Sequence, residues 1–100
     1  MPDTDERFFL SRYRCVVAGI VRDQGGLERL SEVRLQLIRR FAACCVLAER
    51  MEGRRARGTE INIDRYRALC DSVQRMARTI GIDRAARGGE PTISDFLRAE

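Results

Sequence analysis

An all-α fold is the expectation for this chain, and three observations carry it. Apolar residues recur at alternating steps of three and four in three separate segments, the period of a helix with one buried face. The only two prolines, Pro2 and Pro91, stand near the ends, leaving roughly ninety residues without a strong helix breaker. Glycine falls where the apolar period breaks, at Gly25-Gly26, Gly58 and Gly81.

The 100 residues fit a single domain, 1–100. They divide into an N-terminal helix within 1–24, a long antiparallel helical hairpin over 31–81, and a short, mobile C-terminal tail over 83–100. An apolar fraction of 44% beside a charged fraction of 34% suits a helical globular protein and is too apolar for a disordered chain.

The first helix is expected to begin near Asp3 or Thr4, either of which can cap it, with Asp5 and Glu6 in the first turn where the dipole favours negative charge. Phe9, Tyr13, Val16 and Ile20 form its apolar stripe, widened by Leu10, Val17 and Val21. The double glycine stops it. Residues 27–30 have room for one short turn, and Ser31 reads as the N-cap of a second helix, with Leu30 and Leu35 placed for a hydrophobic staple. Arg34 stands where a full capping box wants Glu or Gln, so the cap is incomplete.

The second helix is expected over residues 32–56, a rod of about 37 Å. Leu37, Phe41, Cys44, Ala48 and Met51 make a heptad seam, and Ile38, Ala42 and Cys45 a second row beside it. Every residue from 41 to 48 is apolar. A helix apolar all round must be covered on every side. Two further helices of so short a chain are expected to leave part of it bare, so a neighbouring subunit is inferred. Leu37, Phe41, Cys44, Cys45 and Ala48 are the candidate oligomer interface. Arg54, Arg55 and Arg57 complement the negative end of the dipole before Gly58 closes the helix. The short link that follows predicts an antiparallel return.

The third helix is expected from an Asn62 cap to Ile80. Ile63, Tyr66, Cys70, Val73, Ala77 and Ile80 keep the three-four alternation without a miss, and Leu69 and Met76 broaden the stripe. Gly81 fits the left-handed residue after the helix, with Ile82 folding back on its last turn.

The residue inventory argues against an enzyme. Histidine is absent, removing the usual general base at neutral pH. None of the serines lies in a nucleophile elbow or an SxxK pair, and no glycine-rich loop follows a strand. Glu49 and Glu52 share a helix face surrounded by Arg50 and Arg54, which reads as a solvated charged face rather than an acid/base pair. Cys15, Cys44, Cys45 and Cys70 lack metal-ligand spacing and read as small buried hydrophobes in a reducing compartment. No catalytic residue, metal or cofactor is therefore expected. No secretory leader or membrane-length apolar run is visible, so the expected location is the cytoplasm, with no membrane partner.

The formal charge is +4, and all 19 basic residues are arginine. Arginine forks suit phosphate, which points to a polyanion, although a GC-rich genome would produce the same bias. Two sets are candidate nucleic-acid contacts. Arg7, Arg12 and Arg14 (with Arg22 beyond them) lie on the first helix, where Asp5, Glu6 and Asp23 would otherwise balance them. Arg54, Arg55 and Arg57 lie at the hairpin tip, where pairing with Glu49, Glu52 and Glu60 is the alternative. In the tail, Ile93, Phe96 and Leu97 are apolar anchors that either dock on a partner or pack back on their own subunit.

One longer pattern stands out. It comprises Gly25-Gly26-Leu27-Glu28-Arg29-Leu30-Ser31-Glu32-Val33 through Leu37-Ile38-Arg39-Arg40-Phe41-Ala42, the acidic Glu49 and Glu52, and the link over 58–62. It continues in Arg75, Ile80-Gly81-Ile82, Arg84-Ala85-Ala86-Arg87 and the closing Pro91-Thr92-Ile93-Ser94-Asp95-Phe96-Leu97. Over residues 25–97 the chain resembles small phage- and prophage-encoded helical proteins, which look like small subunits of the phage terminase, the DNA-packaging machine; gene-transfer agents of alpha-proteobacteria carry similar parts. The resemblance implies a homo-oligomeric ring built through the central hairpin, a role with DNA, and a large ATPase/nuclease subunit as partner of the C-terminal tail. Such small subunits often read DNA with an N-terminal helix-turn-helix. Here about twenty-four residues precede the double glycine, shorter than that domain. A small dimeric DNA-binding regulator and a protein-interaction module with no nucleic-acid role are the alternatives.

Overall fold

The computed structural model describes residues 4–81, with side chains from residue 6 onward. Three α-helices follow in chain order: α1 (Thr4–Asp23), α2 (Glu32–Ala56) and α3 (Ile63–Ile80), with a single 3-10 turn at Leu27–Arg29. No strand occurs among the described residues. The Asp3 cap, the fold-back of Ile82, the tail over 83–100 and its anchors Ile93, Phe96 and Leu97 lie outside them.

Local chemistry sets each boundary. Gly25 and Gly26 both take positive φ. The Gly25 amide donates to the Arg22 carbonyl and the Gly26 amide to that of Val21, the paired bonds of a Schellman ending. Gly58 closes α2 in the same way: its amide donates to Arg55, and that of Thr59 to Arg54. The Ser31 hydroxyl accepts from the Arg34 amide at 3.1 Å, and the Asn62 side chain accepts from the Arg65 amide at 3.0 Å, so both helices carry side-chain N-caps. Gly81 holds φ +96° beyond α3.

The middle helix is the axis of the molecule, and both α1 and α3 pack on it. Ile38, Ala42 and Val46, spaced by four, are buried on α2; Ala48 and Ile80 complete the buried set among the described residues. Of the expected second row, Ile38 and Ala42 are buried but Cys45 is half-buried and Val46 takes its place; of the seam, Ala48 is buried while Leu37, Phe41, Cys44 and Met51 are half-buried. Small side chains at Ala42, Ala43, Cys44, Cys45 and Ala48 let neighbouring helices approach closely. Part of the 41–48 stretch is left bare all the same: Phe41, Ala43, Cys44 and Cys45 are half-buried. Within that stretch only Leu47 is exposed, at 40%. Leu10 and Ile63, assigned to apolar stripes by their spacing, are exposed as well, each beside the better-packed stripe of its helix.

A polar knot joins the three helices at one end. The Arg34 guanidinium donates to the Ile80 carbonyl, in the last turn of α3, and to the Gln24 side-chain oxygen. Gln24 in turn donates to the Gly81 carbonyl at 3.3 Å. The position that fails to complete a capping box for α2 therefore serves α3 instead: it satisfies a terminal carbonyl and opposes the negative end of the dipole. Near the end of α2, the Tyr66 hydroxyl of α3 donates to Glu52 at 2.7 Å.

Candidate functional surfaces

Three arginines of the first helix were candidates for phosphate, and the structure separates them. Arg12 donates through Nε and Nη2 to the two carboxylate oxygens of Glu49, each at 3.0 Å, a fork-to-fork pair that ties α1 to α2. Two of the five Arg12 donors are engaged in this pair, while the side chain keeps 47% of its exposure. The hydrogen bond with Arg12 holds the Glu49 carboxyl below its ordinary value and raises Arg12 in return. Glu49 and Glu52 are both exposed, as expected of a solvated face, and each reaches across to another helix, Glu49 to Arg12 and Glu52 to Tyr66. The bond to Glu52, with a lesser contribution from Cys70, lifts the Tyr66 phenol above its usual value.

Arg7 and Arg14 are exposed, and so are Arg54, Arg55 and Arg57. The fold brings the start of α1 to the end of α2. Phe8 and Phe9 share one surface groove with Val46, Gly53, Arg50, Arg54 and Arg57, and with the Glu49 that pairs with Arg12. To this groove α1 contributes its two phenylalanines and α2 its arginines, while Arg14 of α1 lines a different groove. Phe8 stands 71% exposed there, while Phe9 stacks on Tyr13 with ring centroids 6.1 Å apart. Spacing had singled out neither Phe8 nor Arg50. Phe8 falls off the apolar stripe, and a large aromatic off the stripe of an amphipathic helix is the signal that marks it.

A second, larger groove opens on the other side of α1, with a volume of about 890 Å³. Val17, Val21, Leu27 and Leu35 give it an apolar floor. Arg14, Arg22, Arg29 and Arg39 line it together with Glu28. It lies between α1, the turn at Leu27–Arg29 and the first half of α2. Sequence spacing marks the apolar positions but not the gap between the helices that carry them.

Of the proposed oligomer contacts, Ala48 is buried within the single chain, and Leu37, Phe41, Cys44 and Cys45 are half-buried. Cys45 lies close enough to Arg12 and Glu49 to feel their charge, but burial is the larger influence and pushes its thiol up, away from the reactive thiolate. The described cysteines are all free thiols. Among the described residues no cluster of three or more metal-ligating side chains occurs, and no helix is long and apolar enough to cross a membrane.

No protein-family model matches the chain, and neither a curated protein nor a solved structure matches it.

Proposed function

We propose that this protein is a non-enzymatic, oligomeric adaptor of the phage DNA-packaging type, terminase small-subunit-like, acting in the cytoplasm. It holds DNA through an arginine-rich end and a large motor subunit through its C-terminal tail. The observation that carries the DNA contact is the convergence of Arg50, Arg54 and Arg57 with Phe8 and Phe9 at one end of the helical body. Guanidinium groups there suit phosphate oxygens, and repetition around a ring would add weak contacts by avidity. Arg7, Arg14 and Arg55 extend the basic character of this end and of α1. Arg12 is left to the fold.

The pairing of Arg34 with Ile80 at one end, and of Glu52 with Tyr66 at the other, supports reading α2 and α3 as an antiparallel hairpin arm. Exposed Leu47 on that arm is a better interface residue than Ala48, which has no surface left to offer. A protein-interaction module without DNA is favoured by one separate observation, the apolar groove floored by Val17, Val21 and Leu35.

Native mass measurement combined with DNA retention across a salt series separates these readings. The adaptor requires a multi-subunit particle that retains DNA at low salt and releases it steeply as salt rises. A dimer that retains DNA supports the regulator instead. A particle that retains none at low salt leaves the interaction module, and a monomer at high concentration overturns assembly.

A further inference from the structure

The apolar groove beside α1 includes Gly25 and Gly26 in its lining, just after the end of α1. Gln24, whose side chain bonds the Gly81 carbonyl, directly precedes Gly25 and Gly26, which line the groove's edge. Gly81 itself lines a separate, smaller cleft with Ile20, Asp23 and Gln24, the last of these adjacent in sequence to the glycines at the groove's edge. Residues 82–90 span up to about 30 Å when extended, enough to travel along a groove bounded by the second half of α1.

The chemistry of the segment beyond them matches that of the groove. Ile93, Phe96 and Leu97 stand at i, i+3 and i+4, the spacing with which one helical turn presents apolar anchors to a groove. Around them are Glu90, Asp95 and Glu100 against the single Arg98, an acidic balance. The groove offers the reverse: an apolar floor with four arginines and one acid about it. Seating Ile93, Phe96 and Leu97 there would cover apolar surface on both sides and bring carboxylates among guanidinium groups.

We propose that the segment over residues 90–100 docks in the α1–α2 groove of its own chain, so that the free protein keeps its tail anchors covered. Engagement of any partner through the tail then requires release from this groove, which makes the groove a built-in competitor for that partner. The docking does not rest on the packaging function, and it is testable without DNA or a motor subunit.

The test uses the full chain carrying a photoreactive benzoylphenylalanine at Ala18, an exposed residue lining the groove, with a second probe at exposed Glu28. Equal amounts of isotopically light and heavy protein are unfolded together and refolded before irradiation, so that any multi-subunit particle contains both. The expected result is cross-links from both probes to peptides containing residues 93–97, with light joined only to light and heavy only to heavy. Phe96→Ser combined with Leu97→Ser should lower the yield by at least about tenfold, because two large apolar anchors are lost. These substitutions fall outside α1, α2 and α3, and unchanged helicity checks that the three helices stay folded. Mixed light–heavy cross-links would overturn docking on the same chain in favour of docking between copies. Absence of cross-links to the tail, or full yield in the double variant, would overturn the groove assignment.

Discussion

Arg12 and Glu49, 37 positions apart, meet in a two-bond fork that fastens the first helix to the second. Their side chains keep 47% and 42% of their exposure, so solvent screens the pair and its contribution is that of a surface contact. The pH dependence has a definite sign. Because the Glu49 carboxyl is held below its ordinary value of 4.5, its stabilisation is fully present above that pH and is lost as pH falls through the depressed value. Glu49→Gln should lower the urea midpoint slightly at pH 7, and the gap from the unmodified protein should close in strong acid. An equal gap at both pH values would contradict the pairing.

Arg34 is the more consequential cation. Its guanidinium reaches a terminal carbonyl of α3 and the side chain of Gln24, joining all three helices. Arg34→Met keeps much of the aliphatic stem and removes the donors, at an expected cost of about 1.5–3 kcal/mol in urea unfolding. Hydrogen exchange should quicken first in the last turn of α3. Protection unchanged there, with global stability also unchanged, would show that the bond contributes nothing.

The helix-ending glycines differ in a measurable way. Gly25 and Gly58 both need positive φ, so alanine at either should cost roughly 1–2 kcal/mol. At Gly25 an added Cβ would also come within 2.8 Å of Arg29 Cδ, whereas at Gly58 it meets open space. Gly25→Ala should therefore destabilise more than Gly58→Ala, since the Arg29 stem must swing aside. Thermal melts of the two variants decide it, and the opposite ranking would refute the steric account.

DNA retention offers a prediction about individual residues. Replacing Arg54 and Arg57 together by alanine should weaken binding on every sequence tested and reduce the log–log salt slope by about one per arginine. Arg12→Ala should leave that slope alone while lowering stability. A slope that responds to Arg12 and ignores Arg54 and Arg57 would move the DNA contact elsewhere.

The element boundaries were readable because this chain punctuates clearly. Ser31 and Asn62 before α2 and α3, and Gly25-Gly26, Gly58 and Gly81 after the three helices, act through local backbone chemistry that needs no knowledge of the fold. Relations between helices were less accessible. Phe41 and Cys44 lie on an even heptad seam yet are half-buried, while Ile38, Ala42 and Val46 beside it are buried, because the position of α1 and α3 around the rod decides which positions are covered. The partner of Arg12 was hidden for the same reason: periodicity places a residue on a face without saying what faces it. The groove between Val17 and Leu35 is a property of the space between two helices, which neither helix encodes alone.

The central position of α2 has a kinetic consequence. Each extensive helix pairing joins neighbours in the chain, α1 with α2 and α2 with α3. Such a topology has low contact order: closing either pair requires only a short loop and little search entropy. The monomeric body should accordingly form on the microsecond-to-millisecond scale of small helical bundles. With one helix shared by both pairings, stopped-flow refolding should slow most when substitutions fall on the Ile38–Ala42–Val46 row, the part of the chain common to either route of closure.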